Sequence, residues 1–360
     1  MNWRDFTNPS AGGAELVTHE IAKRWALWGN DVTLLTSRYS ACASEELVDN
    51  VNINRVGGKY SVYFGSALKF LRESNSFDVV VDQINSIPFL TPLYSRKPIV
   101  PFVFQMTRDV YFRELPRFFS SIAYSLEPMV LKLYEGCPTI VLSESAKTDL
   151  VSIGFRSERI FVCPPGADHG PFTPGEKTPY PSVLFLNRFA KYKNPDQLIM
   201  AFKEVVAEIP NCKLRVVGAR NRNEIRSLTK LAHSLGIGGS VEILPYARGA
   251  AKISLLQASW VHVLPSIREG WGISILEAAA CGTPTVGFGV PGVRDAVRDM
   301  ETGLIAHNLS THSLANSILT ILQNESLRSK LSVEAAKWAQ SFTWNSTAKG
   351  AMSALTSALN

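Results

Sequence analysis

Two glutamates beside the start of an apolar helix are the clearest sign of a binding or catalytic site in this chain. Glu269 and Glu277 are separated by seven residues in the segment 266–284. Gly270 and Gly272 lie between them, and glycine lets a ligand approach the backbone closely. The N–H groups at a helix start favour an anion. Two carboxylates with an anion site between them suit a ligand with hydroxyls at both ends and a phosphate in the middle, such as a nucleotide sugar.

A basic loop earlier in the chain carries the complementary charge. Arg188 and Lys193 follow the apolar run 183–186, which has the composition of a short buried strand. Asn194–Pro195 then open a helix. Cations at the carboxyl end of a parallel strand, beside a helix start, are placed to neutralise a pyrophosphate. The plain alternatives are that the glutamates only cap a helix and that the basic loop is only solvated.

Together, the two segments resemble the retaining, nucleotide-sugar-dependent glycosyltransferases of family 4, which have the GT-B architecture of two Rossmann-like domains. The similarity extends over almost the whole chain. The segment NPSAGGAELV (8–17) resembles the family's glycine-pair loop, and VLSESAKTDL (141–150) resembles the last strand and helix of its N-terminal domain. PPGADHGPF (164–172) resembles the domain linker, and VHVLPS (261–266) resembles the strand before the glutamates. The ordered set is far more specific than any single motif.

The resemblance implies a role for each charged side chain. Arg188 and Lys193 hold the distal phosphate and stabilise the negative charge on the leaving nucleoside diphosphate. Glu277 accepts hydrogen bonds from the ribose hydroxyls, and Glu269 contacts the hydroxyls of the donor sugar and helps to orient it. The predicted catalytic residues are therefore Arg188, Lys193 and Glu269.

The resemblance also places backbone groups in the donor site. The N–H groups that complete the sugar and phosphate site are those of Gly270, Trp271, Gly272 and Ile273. The Gly12–Gly13 pair precedes the first helix, predicted at Glu15–Leu27, and faces the donor across a cleft in the family. Packing of the Trp271 ring within its loop, and an ordinary turn at the glycine pair, are the alternatives.

One departure from the family concerns the reacting carbon of the sugar. The family often has a histidine near that carbon, at the end of a central strand of its N-terminal domain. The matching run 99–105 has Phe104 at this position. Gln105 could supply part of the hydrogen bonding to the sugar but cannot act as a base. Activity is expected to survive, because retaining enzymes of this kind are thought to use the leaving phosphate oxygen as the proton acceptor.

A second departure concerns the start of the chain. Family members open with a strand before the glycine loop, and the segment 1–10, MNWRDFTNPS, shows no strand pattern. That strand is normally central in a doubly wound sheet. The prediction is an α/β chain with the GT-B fold, in which two Rossmann-like, doubly wound domains face a central cleft and the first strand of the N-terminal domain is missing.

The rest of the chain supplies the elements of these domains. Strand-like runs alternate with helical patterns, as in parallel α/β folds. The predicted strands are 32–36, 79–81, 99–104, 139–142, 183–186, 214–217, 241–244, 261–264 and 285–287. The predicted parts are an N-terminal acceptor domain (1–165), a linker rich in proline and glycine (166–180), a C-terminal donor domain (181–340) and a helix that crosses back to the N-terminal domain (341–360).

Composition limits the classes of function. The chain has 360 residues, 46% of them apolar and 19% charged, which is typical of a globular protein with two domains. Residues 1–165 carry 17 basic and 17 acidic side chains, so residues 166–360 supply the whole net charge of +6. The second half is the better candidate for a nucleotide diphosphate. No basic run with interleaved aromatics indicates nucleic-acid binding.

The sequence predicts neither a cofactor nor a metal. The co-substrate is a UDP- or GDP-linked sugar, and no Asp-x-Asp pair stands at a strand end. Five scattered cysteines without metal-ligand spacing favour a reducing compartment. No apolar signal core opens the chain, and no apolar run is long enough to span a membrane. A cytoplasmic protein is expected, with a peripheral position at the inner membrane face as an option.

The segment 108–134 mixes arginines with aromatic residues. One interpretation is an amphipathic surface that contacts an anionic membrane or a lipid-linked acceptor. The other is a pair of helices that pack on the core with solvated arginines, and acidic residues at 109, 114 and 127 favour this second interpretation.

The function predicted from these observations is retaining, metal-independent transfer of a hexosyl-type sugar from a UDP- or GDP-sugar to an acceptor hydroxyl. The acceptor would be a glycan, glycolipid or small molecule in polysaccharide, glycolipid or glycoconjugate biosynthesis. Two alternatives stay open. One is a catalytically weak or inactive nucleotide-sugar-binding relative, which Phe104 favours. The other is a nucleotide-sugar epimerase on the same architecture, for which Asp82 is a candidate acid or base at a strand end.

Overall fold

The computed structural model describes residues 1–167 and 170–360. Asp168 and His169, which belong to the predicted linker, lie outside the described residues. The described strands are β1 (Thr33–Thr36), β2 (Glu45–Val48), β3 (Val51–Arg55), β4 (Val80–Ile84), β5 (Ile99–Val103), β6 (Thr139–Val141), β7 (Ile160–Val162), β8 (Ser182–Leu186), β9 (Lys213–Ala219), β10 (Val241–Pro245), β11 (Val261–Leu264), β12 (Thr285–Phe288) and β13 (Gly303–Ala306). Every strand predicted from the sequence is present, and β2, β3, β7 and β13 are additional.

Helices separate most of the strands. They are α1 (Gly13–Leu27), α2 (Val62–Glu73), α3 (Val110–Glu114), α4 (Arg117–Leu131), α5 (Glu144–Ser152), α6 (Pro195–Glu208), α7 (Arg222–Ser234), α8 (Gly249–Ala258), α9 (Ile273–Ala280), α10 (Val293–Ala296), α11 (Thr311–Gln323), α12 (Glu325–Gln340) and α13 (Trp344–Leu359). Short 3₁₀ helices of a single turn lie between some of these helices and strands.

The chain divides into two compact units. The first unit consists of residues 1–108, 121–166 and 343–360, and the second unit consists of residues 109–120 and 167–342. The short helix α3 therefore groups with the second unit, although it comes from the first half of the sequence. The last helix, α13, groups with the first unit.

The first unit contains two sheets. One has the order β1-β3-β2, in which β2 is antiparallel, and the other is the parallel sheet β4-β5-β6-β7. Residues 1–12 form neither helix nor strand, which agrees with the lack of a strand pattern in the segment 1–10. Met1 and Asn2 nevertheless bond to both sheets, since the Met1 amine donates to the Val81 carbonyl at 2.7 Å and Asn2 N donates to the Leu35 carbonyl at 3.0 Å.

Helix α13 packs on α1 within the first unit. The indole N–H of Trp25 on α1 donates to the Ala348 carbonyl of α13 at 3.0 Å. Gly350 allows close packing, because a Cβ there would lie 2.9 Å from the sulfur of Cys163. Since helix propensity alone rarely fixes a terminal segment, this packing on α1 is what positions α13.

The second unit has one continuous parallel sheet. Its strand order is β10-β9-β8-β11-β12-β13. The chain proceeds outward from β8 to β10 and then returns to the other side of β8 with β11. The order of strands therefore reverses between β8 and β11. In open parallel sheets, ligands bind outside the carboxyl ends of the strands at this switch point.

Candidate functional site

The two segments that the sequence singled out leave the sheet of the second unit side by side. Strands β8 and β11 are parallel neighbours, and Val183 pairs with Val261. The loop after β8 carries Arg188 and Lys193, and the loop after β11 carries Glu269. Parallel strands have their carboxyl ends at the same edge, so both loops lie at the switch point.

Lys193 and Glu269 form a direct ion pair in this structure. Lys193 Nζ lies 2.5 Å from Glu269 Oε1, and the two side chains are 6% and 9% exposed. Two further bonds connect the loops: Asn194 Nδ2 donates to the Pro265 carbonyl at 2.9 Å, and Ile267 N donates to the Tyr192 carbonyl at 3.0 Å. The structure therefore brings one predicted cation and one predicted carboxylate together, although 76 positions separate them in sequence.

The backbone of Glu269 packs against a position that only glycine can occupy, Gly292. Glu269 N donates to the Pro291 carbonyl at 3.0 Å. A Cβ on the next residue, Gly292, would lie 2.2 Å from the carbonyl oxygen of Glu269, and Gly292 has φ +80°. A side chain at this position would both clash and strain the backbone. Glu269 thus depends on a glycine 23 residues later in the chain, which no sequence motif indicated.

Arg188 lies in the same loop as Lys193. Its Nη2 donates to the Tyr192 hydroxyl at 3.3 Å. The backbone before it runs very close to β9, because a Cβ on Gly218 would lie 1.7 Å from the Asn187 carbonyl oxygen. Helix α3 contacts the same loop, since Tyr192 N donates a hydrogen bond to Glu114 Oε1 at 3.3 Å.

Glu277 has a different cation as its partner. It is buried on α9 and forms an ion pair with Lys252 of α8, whose side chain is 19% exposed. Burial raises the pKa of Glu277 above its ordinary value of 4.5, and the charge and hydrogen bond of Lys252 oppose that rise. The sequence did not identify Lys252, because it stands alone in an apolar helix with no motif around it.

The loop from β11 into α9 and the first turn of α9 hold polar atoms without hydrogen-bond partners. Within the described part of the chain, no partner reaches the buried Ser266 Oγ, Trp271 Nε1 or Ser274 Oγ. Buried polar atoms are normally hydrogen-bonded, so three such atoms within nine residues indicate a ligand site. Gly272 starts α9 in the left-handed conformation, with φ +91°, and leaves the N–H of Ile273 at the helix start.

The side chain of Trp271 packs within the second unit. Its ring is buried and meets the Phe342 ring edge-on, with centroids 5.1 Å apart. This contact corresponds to the packing alternative for Trp271. The backbone N–H groups of Gly270 and Trp271 lie in the same loop before α9.

The glycine pair lies at the start of α1 in the first unit. Gly12 N donates to Glu15 Oε2 at 2.6 Å, and Arg4 Nε donates to Glu15 Oε1 at 3.1 Å. Glu15 therefore supplies a carboxylate to the N-terminus of its own helix. Gly13 is the first residue of α1.

The position of the family histidine is filled by a packed ring. Phe104 is buried and stacks on Phe102 with centroids 4.3 Å apart. Phe104 N donates to the Ile84 carbonyl at 3.3 Å, which fixes the backbone at the end of β5. The neighbouring Gln105 has a buried Oε1 that no described residue contacts by a hydrogen bond.

Asp82, the candidate acid or base of an epimerase, has a structural role. It is fully buried on β4 and accepts four hydrogen bonds. The donors are Phe89 N at 3.0 Å, Thr91 N at 3.3 Å, Thr91 Oγ1 at 2.9 Å and the Tyr134 hydroxyl at 2.5 Å. A carboxylate enclosed in this way cannot reach a substrate.

The described residues show neither a cluster of metal ligands nor a membrane-spanning helix. No group of three or more His, Cys, Asp or Glu side chains among them converges as metal ligands would. None of the described helices is both long and apolar enough to cross a membrane.

Comparison with known proteins identifies the family. Residues 11–170 match the family model described as Glycosyltransferase Family 4, and residues 169–338 match the model described as Glycosyl transferases group 1. A similar curated protein is the D-inositol 3-phosphate glycosyltransferase of Rhodococcus jostii, 33% identical over an alignment of 212 residues that covers 55% of this chain and 47% of that protein. The chain spans about half the length of the curated relatives that it matches.

Solved structures share the fold over nearly the whole chain. Sucrose-phosphate synthase from Thermosynechococcus elongatus aligns with a TM-score of 0.82 at 20% identity, covering 96% of this chain and 93% of that one. Anabaena HepE in complex with UDP and glucose aligns with a TM-score of 0.77 at 19% identity, covering 96% of each chain. These likenesses confirm the predicted GT-B fold of two Rossmann-like domains.

Proposed function

Because this chain belongs to glycosyltransferase family 4, we propose that it transfers a sugar from a UDP- or GDP-sugar to an acceptor hydroxyl with retention of configuration. The second unit would bind the donor, and the first unit would present the acceptor. The observation that carries the proposal is the Lys193–Glu269 ion pair at the switch point of the sheet. It puts a cation for a phosphate next to a carboxylate for sugar hydroxyls, as the donor requires.

The proposed reaction breaks the bond between the anomeric carbon and the diphosphate oxygen. The acceptor oxygen forms its bond to that carbon on the same face, and its proton passes to the leaving phosphate oxygen. Negative charge then develops on the nucleoside diphosphate. Lys193 and Arg188 stabilise this charge, because fixed cations in a partly buried site need no reorganisation at the moment of reaction. No step in this scheme requires a protein base or a metal.

Lys193 can serve both partners at once. Its ammonium has three N–H donors, and one of them reaches Glu269. The others stay available for a phosphate oxygen. Glu269 likewise has Oε2 for a sugar hydroxyl, so the pair orients the sugar relative to the phosphate that leaves.

Glu277 would bind the ribose, with Lys252 as a positioning residue. The ammonium of Lys252 holds Oε1 of Glu277, which leaves Oε2 for the ribose hydroxyls. Its charge also favours the ionised carboxylate against burial. Ionisation is needed here, because a carboxylate accepts hydrogen bonds from both neighbouring hydroxyls.

The relatives support parts of this proposal. One solved relative is in complex with UDP and glucose, which favours UDP as the donor nucleotide. Curated relatives are named D-inositol 3-phosphate glycosyltransferase, and we propose a hydroxyl of a small molecule, glycan or glycolipid as the acceptor of this chain. We further propose that the protein acts in polysaccharide or glycolipid biosynthesis. It would work in a reducing, cytoplasmic compartment and contact a membrane peripherally.

An inactive nucleotide-sugar-binding relative is the second candidate. The packed ring of Phe104 favours it, since a phenylalanine donates no hydrogen bond to the sugar. The epimerase alternative is disfavoured, because its candidate residue Asp82 is enclosed by four donors.

The test is a panel of UDP- and GDP-sugars, read first by thermal shift and then by transfer to acceptors. Arg188→Ala and Glu277→Gln should each weaken nucleotide-sugar binding by roughly tenfold or more. Arg222→Ala, on the exposed surface of α7, is the matched control and should bind normally. Full binding in both site variants would refute the donor site, whereas binding without transfer would favour the inactive relative.

A further inference from the structure

Tyr192 contacts both cations of the proposed phosphate site. Its hydroxyl accepts a hydrogen bond from Arg188 Nη2 at 3.3 Å, and its ring centroid lies 4.9 Å from Lys193 Nζ. A lone pair of the hydroxyl oxygen attracts the guanidinium, and the negative face of the ring attracts the ammonium. One side chain therefore holds the two charges that are predicted to bind the distal phosphate.

The backbone of Tyr192 is held from two directions. Its N–H donates to Glu114 Oε1 of α3 at 3.3 Å, and its carbonyl accepts the N–H of Ile267 at 3.0 Å. Residues 191–193 form a single 3₁₀ turn, and Asn194 follows with φ +51°. Tyr192 is only 9% exposed. A buried ring on a backbone that is bound at both its donor and its acceptor has little freedom to move away from the two cations.

The two cations need such a support because they carry the same charge. Like charges that converge on one phosphate repel each other while the site is empty. Lys193 is also paired with Glu269, which offsets part of this repulsion. The Tyr192 hydroxyl gives the guanidinium of Arg188 an acceptor oxygen that is neutral, so the contact leaves the full positive charge for a phosphate. A carboxylate at the same place would neutralise that charge.

The same type of contact occurs again in the second unit, with different surroundings. Arg215 Nη2 donates to the Tyr180 hydroxyl, also at 3.3 Å. Arg215 Nε, however, lies 3.3 Å from Glu242 Oε2, so this guanidinium is already paired with a carboxylate. Arg215 lies within β9 and Glu242 within β10, not in a loop at the carboxyl edge of the sheet. The Tyr180 contact therefore serves the fold and offers a matched control for Tyr192.

We propose that Tyr192 is the positioning residue of the phosphate site, because it contacts Arg188 and Lys193 at once and holds both before the donor binds. With the cations already in place, a diphosphate binds without first ordering two long side chains, which lowers the entropic cost of binding. The same arrangement stabilises the charge of the leaving group without reorganisation. The inference rests on the proposed donor site and adds to it a residue that acts through the two cations.

The test measures binding of UDP and UMP to the full chain by calorimetric titration, with GDP and GMP in their place if the wild type prefers guanine. UMP lacks the distal phosphate, so it reports binding of the rest of the nucleotide. Tyr192→Phe keeps the ring and removes the hydroxyl. It should weaken UDP binding by about threefold to tenfold and change UMP binding by less than about twofold. Tyr192→Leu also removes the ring, so it should lose about another threefold for UDP.

Tyr180→Phe is the matched control and should bind UDP as the wild type does. The double variant Arg188→Ala/Tyr192→Phe should bind UDP as tightly as Arg188→Ala does. A hydroxyl that acts on UDP through Arg188 has no further effect once Arg188 is gone. Thermal melting checks that every variant is folded at the temperature of the titration.

Unchanged UDP binding in Tyr192→Phe overturns the proposal. An equal loss for UDP and UMP also overturns it, because that result indicates general structural damage. Additive losses in the double variant overturn it too, since Tyr192 would then act on the nucleotide independently of Arg188. Failure of the donor site itself looks different: the wild type would bind neither UDP nor GDP, or Arg188→Ala would bind as tightly as the wild type. Either of these results overturns both proposals.

Discussion

The second unit holds two lysine–glutamate pairs that look alike in chemistry and differ in construction. Lys193–Glu269 joins two loops at the switch point, and both side chains are buried. Lys252–Glu277 joins two helices, and its lysine is partly exposed. Loops at strand ends can place charges against a ligand, whereas neighbouring helices can set the ionisation of a buried group. The first pair is thus suited to chemistry and the second to holding one carboxylate charged.

The two pairs also differ in how they respond to loss of one member. Removing one partner of a fully buried pair leaves an uncompensated charge in the interior, which is strongly destabilising. A pair with a partly exposed lysine is screened by solvent, so its loss is less severe. The following experiments test whether this difference in burial is reflected in stability and in donor binding.

The largest effect is expected on breaking the buried loop pair. Lys193→Met leaves Glu269 buried without its cation and should lower the free energy of unfolding by about 4 kcal/mol. The double variant Lys193→Met/Glu269→Leu should regain more than half of that loss, because no lone charge is left. Chemical denaturation measures both. Neither variant should bind a nucleotide sugar. Equal stability of the single and double variants would contradict the uncompensated-charge explanation.

An intermediate effect is expected at the glycine that holds the Glu269 backbone. Gly292→Ala should destabilise the fold by roughly 3 kcal/mol, from the positive φ and from the clash with the Glu269 carbonyl. Gly236→Ala is the control, because Gly236 has φ +78° and no atom within 4 Å of a Cβ. It should cost only about 1 kcal/mol and leave nucleotide binding intact. Similar losses in both variants would show that the clash with Glu269 has no effect.

The smallest effect, and the one that depends on pH, is expected for the helix pair. Burial raises the folded-state pKa of Glu277, so protonation favours the folded state and this contribution to stability is lost as pH rises through that pKa. Lys252→Met removes the charge that opposes the rise and should extend this window to higher pH. Its destabilisation near neutral pH should be roughly 1–2 kcal/mol.

Donor binding gives the sharper measurement for this pair. In Lys252→Met, nucleotide-sugar affinity should fall about threefold to tenfold at mildly acidic pH and recover as pH rises and Glu277 ionises. Lys252→Arg should restore the wild-type pH profile, since it keeps the charge. Calorimetric titration across pH measures the shift. A uniform loss at every pH would indicate only a structural role for Lys252.

Much of the fold could be predicted from the sequence because it is encoded locally. The apolar runs of β8 and β11 are buried on both faces, and such runs are recognisable in any buried parallel strand. Strand β2 was missed because its residues are almost all exposed and carry no apolar pattern. Strand β3 was missed although V-N-I-N alternates apolar and polar residues as a half-buried strand does. What the sequence could not predict in β3 is the burial of Arg55, whose guanidinium contacts Asp5 at 2.9 Å across 50 residues.

The candidate site shows the same division. From the residues alone one can tell which side chains carry charge, where glycine frees the backbone, and that the two motif segments follow strands. Only the folded chain shows that Lys193 bonds to Glu269, that Lys252 is the partner of Glu277, and that the Phe104 ring lies in the core. The reason is physical: a strand or a helix start depends on neighbours in sequence, whereas an ion pair depends on the order of strands in the sheet, which sets which loops meet.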